Sequence, residues 1–335
     1  MKKAITSTCF LPLLVLGISQ SCWSMTEFDR ATTYGADFKT TYVVVDDIGR
    51  PVSNALFNAW LGLELNKDGG VPIYGHTDRD GCFVLHGKTT GDIRYRIIKE
   101  GYYTTGARVE LYDTDEEENA VKNGCWQPYG IEKTVTLKRI INATVKAFHM
   151  DYMQVPAFDK WMGFDLERFA FCAPYGNGER DDMLLRFVFN QDPNVKGKTY
   201  SSMELTFTNN PSAGAYMLKK DKWSEFQSCY EADTNNTFAL TSFRYERIRT
   251  REEVFKKEQF PEDSYIVFRT RTTVDEVGKL KSAHYGKIYG EWNYPRHLHF
   301  GGTLFNSTPN DPNLEEEETA VNAHLQVKGI RERGK

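Results

Sequence analysis

Hydrophobic and polar positions alternate in short runs along most of this chain, at the period of two that marks strands. Thr41 to Val45 is the first clear run. Asp47-Ile48-Gly49-Arg50-Pro51 turns the chain, and Ala55 to Leu63 reads as the next strand, ending at Lys67-Asp68-Gly69-Gly70. Thr77-Asp78-Arg79-Asp80-Gly81 is another turn before Cys82 to Leu85. Ile93, Tyr95 and Ile97 then alternate with Arg94 and Arg96. Val109 and Leu111 alternate with Arg108 and Glu110, and Val135 and Leu137 with Thr134, Thr136 and Lys138. Short strands with turn signals at this spacing predict a β-sandwich.

From about Ile141 the runs lengthen. Strands are predicted at Met183–Phe189, Met203–Thr208, Thr237–Tyr245, Ser264–Val274, Leu280–Tyr289 and His297–Phe305. Asp275 to Lys279 is a hairpin turn with Gly278 available for positive φ. Arg247 to Gln259 is charged and reads as a short helix or exposed loop. The expectation is all-β throughout: one sandwich, then a second, larger antiparallel one at 141–314. Residues 315–335 open on four glutamates and read as a charged tail.

The residues of the first half carry a resemblance. A strand, then Asp46-x-x-Gly49-x-Pro51-Val52-x-x-Ala55, then Thr77-Asp78-x-x-Gly81-x-Phe83, then Gly101-Tyr102 is similar to carboxypeptidase regulatory-like domains. That resemblance covers residues 38–140 and implies a transthyretin-like fold, without catalysis, beside other exported domains. Gly163-Phe164-Asp165-Leu166, Ala173-Pro174-Tyr175-Gly176 and Tyr285 to Gly290 resemble the C-terminal region of uncharacterised exported bacterial proteins. This second resemblance lends no activity.

The amino terminus agrees with export. Lys2 and Lys3, an apolar run from Ile5 to Ile18, and small or polar residues at Ser19, Ser21 and Ser24 read as a signal peptide over 1–24. Cys22 adds the alternative of a lipid anchor. The expected location is periplasmic or extracellular, with no transmembrane segment. Of 335 residues, 40% are hydrophobic and 13% aromatic, enough for two packed cores rich in strands. The net charge of −4 lacks the basic footprint of a nucleic-acid binder.

Outside the amino-terminal segment stand Cys82, Cys125, Cys172 and Cys229. An even count in an exported chain permits two disulfides, in sequence order Cys82–Cys125 and Cys172–Cys229; the other reading is four buried thiols. Candidate chemistry is sparse. Period two places Tyr265, Arg269 and Arg271 on one face of the hairpin, with Tyr285, Lys287 and Tyr289 across the turn. Three tyrosines and three cations on one side suit a sugar, a carboxylate or a partner protein. The same face could instead seal against protein. His297 and His299 share a face as a zinc site would require, with His284 or Glu291 as a third ligand, or are simply hydrogen-bonded. Asp78, Asp80 and Gly81 resemble the start of a calcium loop but fit an Asp-Gly turn better. Asp165, Glu179, Asp181 and Asp182 could hold a carboxylate pair for glycan hydrolysis. No cofactor is implied. The expected function is therefore a non-catalytic binding or surface-associated protein for polysaccharide or an envelope protein, with a glycan hydrolase as the alternative.

Overall fold

The computed structural model describes residues 25–316, apart from 63–70, 113–116, 145–146, 208–210, 251–253, 259–260 and 262. The signal-like segment, Cys22 and residues 317–335 lie outside the described residues. Apart from two short helices, α1 (Glu27–Tyr34) and α2 (Glu117–Ala120), the regular structure is all β. Thr26 starts α1 through a reciprocal capping box with Asp29. No described helix is long and apolar enough to cross a membrane.

Nine strands build the first sandwich: β1 (Ala36–Asp46), β2 (Leu56–Leu61), β3 (Val71–His76), β4 (Cys82–Thr89), β5 (Asp92–Ile98), β6 (Thr105–Glu110), β7 (Val121–Lys122), β8 (Cys125–Trp126) and β9 (Ile131–Leu137). One sheet centres on β1, which pairs antiparallel with β4 on one flank and parallel with β8 and β9 on the other. The second sheet runs β3-β2-β5-β6. Alternate residues of both sheets, among them Tyr42, Val44, Phe57, Ala59, Tyr95 and Ile97, meet in one core. Trp126 closes one end of it, donating its indole N–H to the Thr89 carbonyl at 2.7 Å.

The second region holds β10 (Ala147–His149), β11 (Met153–Gln154), β12 (Trp161–Asp165), β13 (Ala170–Phe171), β14 (Met183–Gln191), β15 (Thr199–Thr206), β16 (Gly214–Lys219), β17 (Ser242–Arg249), β18 (Val254–Glu258), β19 (Ser264–Val274), β20 (Leu280–Tyr289), β21 (His297–Leu298) and β22 (Thr303–Phe305). They form two antiparallel sheets, β13-β12-β14-β15-β17-β18 and β10-β22-β20-β19-β16, and a small β11-β21 pair. The charged stretch 247–259 is not a helix: its described residues include the end of β17 and all of β18, paired from Tyr245–Glu258 to Arg249–Val254.

The β19-β20 sheet is buried on both faces. Ile266, Phe268, Ile288 and Phe305 pack on one side against Leu185, Phe187, Met203, Leu205 and Tyr245 of the six-stranded sheet. Gly286 permits that closeness, since a Cβ there would stand 2.2 Å from both the Leu304 carbonyl oxygen and the Phe268 ring. On the other side Tyr265, Val267, Tyr285 and Tyr289 pack against Tyr216, Ala232, Phe238 and Leu314.

The region read as the start of a charged tail is interior. Glu315 accepts hydrogen bonds from the backbone N–H groups of Ile141 (2.7 Å) and Asn142 (2.5 Å), and from the Tyr103 hydroxyl (3.1 Å). The Glu316 carbonyl accepts a second bond from Tyr103 at 2.8 Å. Both glutamates are buried. The two halves of the chain also meet where Lys138 donates to the Phe226 and Ser228 carbonyls, and where Tyr103 stacks on Phe226 at 4.8 Å.

Candidate functional site

The hairpin assembled from period two is present, in the register Tyr265–Tyr289, Val267–Lys287 and Arg269–Tyr285, with Gly278 at positive φ in its turn. It is not an accessible platform. Tyr265, Tyr285, Lys287 and Tyr289 are 2%, 4%, 0% and 3% exposed, because the chain from Ser228 to Phe238 and from Leu314 to Glu316 lies across them. Tyr265 accepts from the Cys229 N–H at 2.8 Å, and Lys287 donates to Ser228 Oγ at 2.7 Å and meets Glu316 at 3.4 Å. Burial pulls the Lys287 ammonium down to about 8, with Glu316 opposing the shift. Arg269 stacks over Phe238 at 4.3 Å and donates to the Ser212 carbonyl.

Arg271 does not share that face. The register shifts between Thr270 and Thr273, and Arg271 itself has φ +48°, so a β-bulge turns its side chain to the other side of the sheet. There it lies over Phe305 at 4.4 Å and pairs with Asp182 (2.8 Å), Asp165 (3.2 Å) and Glu167. This one guanidinium therefore engages two of the carboxylates considered for hydrolysis. Asp165 also accepts from the Glu167, Arg168, Glu179 and Arg180 N–H groups, and Asp182 from Leu166. Burial raises the Asp182 pKa while Arg271 holds it back. Glu179 pairs with Arg168 at 2.6 Å. The cluster ties the loops on either side of β13 to the bulge of β19.

The remaining candidates separate. Asp78 accepts from the N–H groups of Asp80 (2.9 Å) and Cys82 (2.8 Å), a turn in which Gly81 takes φ +78°. His299 is buried and stacked on Tyr152 at 4.2 Å, His297 is exposed, and His284 stacks on Phe305. Among the described residues no group of three His, Cys, Asp or Glu is arranged to hold a metal.

The expected disulfides are corrected. All four cysteines are free. Cys82 stands opposite Val43 on one flank of β1, and Cys125 opposite Asp37 on the other. Six residues of strand separate those positions by roughly 20 Å, whereas a bridge needs Cα atoms within about 7 Å. Cys172 packs beside Gly178 in the loop after β13, while Cys229 joins the core on the far side of the β19-β20 sheet. Burial, then the Asp181 carboxylate, pushes the Cys172 thiol up to about 12.

A site that the alternation did not reveal lies at the open end of the six-stranded sheet. The core-facing row Phe187–Met203–Tyr245 is followed by Phe189–Ser201–Arg247 and then by Gln191–Thr199–Arg249. The same face thus passes from apolar to cationic within two rows. The segment Asn293 to His297 lies over it and adds Arg296, leaving a cleft of about 550 Å³. Arg247 lies over Tyr294 at 5.1 Å and donates to its carbonyl at 3.3 Å; Arg296 lies over Phe189 at 5.5 Å. Among the described residues no carboxylate lies within ion-pair distance of Arg247, Arg249 or Arg296. The buried Arg247 Nε has no acceptor among the described residues. The available signal was Arg247 and Arg249 two apart, obscured by the charge density of the segment that follows.

No protein-family model and no curated protein matches the chain. Solved structures similar to part of it include 3-chlorocatechol 1,2-dioxygenase from Rhodococcus opacus 1CP, at 19% identity and TM-score 0.24, covering 32% of this chain and 62% of that one. Hydroxyquinol 1,2-dioxygenase from Pseudomonas putida DLL-E4 is 14% identical at TM-score 0.24, covering 32% of this chain and 58% of that one. Catechol 1,2-dioxygenase from Acinetobacter radioresistens is 14% identical at TM-score 0.25, covering 32% and 53%. The chain spans between half and two thirds of the length of these three proteins, and likeness at this level carries no argument about function.

Proposed function

We propose that this chain is an exported, non-catalytic binding protein: a transthyretin-like module at residues 38–140, then a larger sandwich that takes a polysaccharide at its arginine-lined mouth. The observation that carries the reading is the cleft itself, where three guanidiniums converge and, among the described residues, no carboxylate pairs with them. Its volume of about 550 Å³ suits a small chemical unit. A protein partner would need roughly 800 Å² of surface, so the glycan is favoured over an envelope protein. Hydrolysis has less support, because Asp165 and Asp182 are buried against Arg271. The alternating strands and paired turns of the first half support the regulatory-type module, and the basic, apolar and small-residue order of residues 1–24 supports export.

Affinity electrophoresis through gels carrying neutral or acidic polysaccharides tests the binding reading. The native chain should be retarded by at least one polymer, and Arg247→Ala/Arg296→Ala should migrate freely with its melting temperature kept. Equal retardation of both proteins, or retardation by none of the polymers, would overturn it.

A further inference from the structure

We infer that the cleft recognises an oxyanion carried on a sugar ring, a uronate carboxylate or a sulfate ester, through the planar fork of Arg247. This rests on the binding reading above and specifies its ligand.

Buried donors in folded proteins are almost always satisfied, by protein or by ordered water, so an unpaired one lining a cleft marks a place where water or a ligand oxygen can bond. Arg247 Nε is such a donor. Its neighbours are arranged to hold it still rather than to neutralise it. Tyr294 backs the guanidinium, the Tyr294 carbonyl takes one Nη1 proton, and Ser201 bonds to the Arg247 carbonyl from the adjacent strand. A guanidinium fixed in this way offers its donors in one plane, which matches the two oxygens of a carboxylate or sulfate. Arg249 is the next residue on the same face, and Arg296 approaches from the covering segment, so negative charge is met from both walls.

The rest of the lining points to a sugar. Gln191, Thr199 and Asn293 supply amide and hydroxyl groups, the usual partners of ring hydroxyls. A planar base would need an open aromatic face. Here Tyr294 is buried beneath Arg247, and Phe189 has Arg296 over its ring at 5.5 Å.

Calorimetric titration of the full chain with four oligosaccharides tests the inference: an oligouronate, its methyl ester, a sulfated neutral oligosaccharide and the unmodified neutral parent. The uronate or the sulfated sugar should bind at least about tenfold more tightly than the ester and the parent, the scale of one charge-assisted hydrogen bond. Binding of the uronate alone identifies the carboxylate, binding of the sulfated sugar alone identifies the sulfate ester, and binding of both identifies the shared oxyanion. Arg247→Lys keeps the charge but loses the fork, and should weaken binding by about tenfold or more, as Arg247→Ala does. Arg296→Lys, on an exposed segment, should weaken it less, and it serves as the reference if Arg247 variants melt early. Equal affinity for the neutral parent would overturn the oxyanion inference and leave the binding reading standing. Full affinity in folded Arg247→Lys would replace the fork by diffuse charge attraction and overturn it as well. Failure of all four sugars would overturn both.

Discussion

Lys287 sits at full burial between the two halves of the chain, and its titration makes a sharp prediction. Its ammonium keeps three kinds of partner: Ser228 Oγ at 2.7 Å, Glu316 at 3.4 Å, and the rings of Phe226 and Tyr289 at 4.6 and 5.1 Å. These do not fully offset desolvation, so its pKa falls from 10.5 to about 8. Below pH 8 the lysine is charged in folded and unfolded chains alike, and the whole burial penalty is present. Between about 8 and 10.5 the unfolded chain keeps a proton that the folded chain has released, so stability rises with pH. The limiting slope is about 1.4 kcal/mol per pH unit. Burial also raises the Tyr265 and Tyr289 phenols, which favours the protonated folded state and opposes the trend only as pH reaches the ordinary tyrosine range. Urea unfolding at intervals from about pH 7 to 9.5 should therefore show wild type gaining roughly 1.5 kcal/mol above pH 8 relative to Lys287→Met/Glu316→Gln, which removes both charges. At pH 7 the single Glu316→Gln change leaves the ammonium buried without its counter-charge and should cost about 3 kcal/mol. Parallel curves for wild type and the double variant would refute the assignment of a suppressed pKa to Lys287.

Other outcomes follow from the same accounting of buried charge. Glu315→Ala removes the acceptor for Ile141 N–H and Asn142 N–H, leaving the Tyr103 hydroxyl only the Glu316 carbonyl, and should lower stability by about 2–4 kcal/mol in thermal unfolding, with faster amide exchange at 141–142. Arg271→Ala strands Asp165 and Asp182, and should cost about 3–5 kcal/mol near neutrality. Asp182 already has a raised pKa, so protonation should restore part of that loss as the pH falls, and a variant that weakens further on acidification would contradict the pairing. Thiol titration of the denatured, unreduced chain should find Cys82, Cys125, Cys172 and Cys229 all reactive, with Cys172 the slowest in the native protein.

The strands and their order were legible because period two and Gly-containing turns are local signals. The hairpin register followed from the spacing about Gly278. What surrounds the hairpin did not. A strand buried on both faces shows the same alternation of tyrosine and cation as one facing solvent, and Lys287 is held in the interior because Ser228 and Glu316, remote along the chain, meet its ammonium. Arg271 was misplaced because a bulge reverses the parity of every later side chain, and nothing in the sequence of Thr270 to Thr273 announces it. Sequence order suggested pairing Cys82 with Cys125; topology forbids it by inserting β1 between them. Glu315 and Glu316 read as a solvated charge run because their partners Ile141, Asn142, Tyr103 and Lys287 are remote in sequence. The arginine cleft needed both β17 and the segment after Trp292, and only tertiary structure joins them.

The pairing of β10 with β22 sets an order of events for a chain made from one end. Ala147 meets Phe305, and the N–H groups of Ile141 and Asn142 wait for Glu315. The first sandwich has all its strands by Leu137 and can close while synthesis continues. The second cannot close until its last strand appears, a non-local requirement of the sort that slows β-rich folding. Until then the apolar faces of β14, β15 and β19 are open to other chains, so the period of greatest aggregation risk ends when the last strand docks.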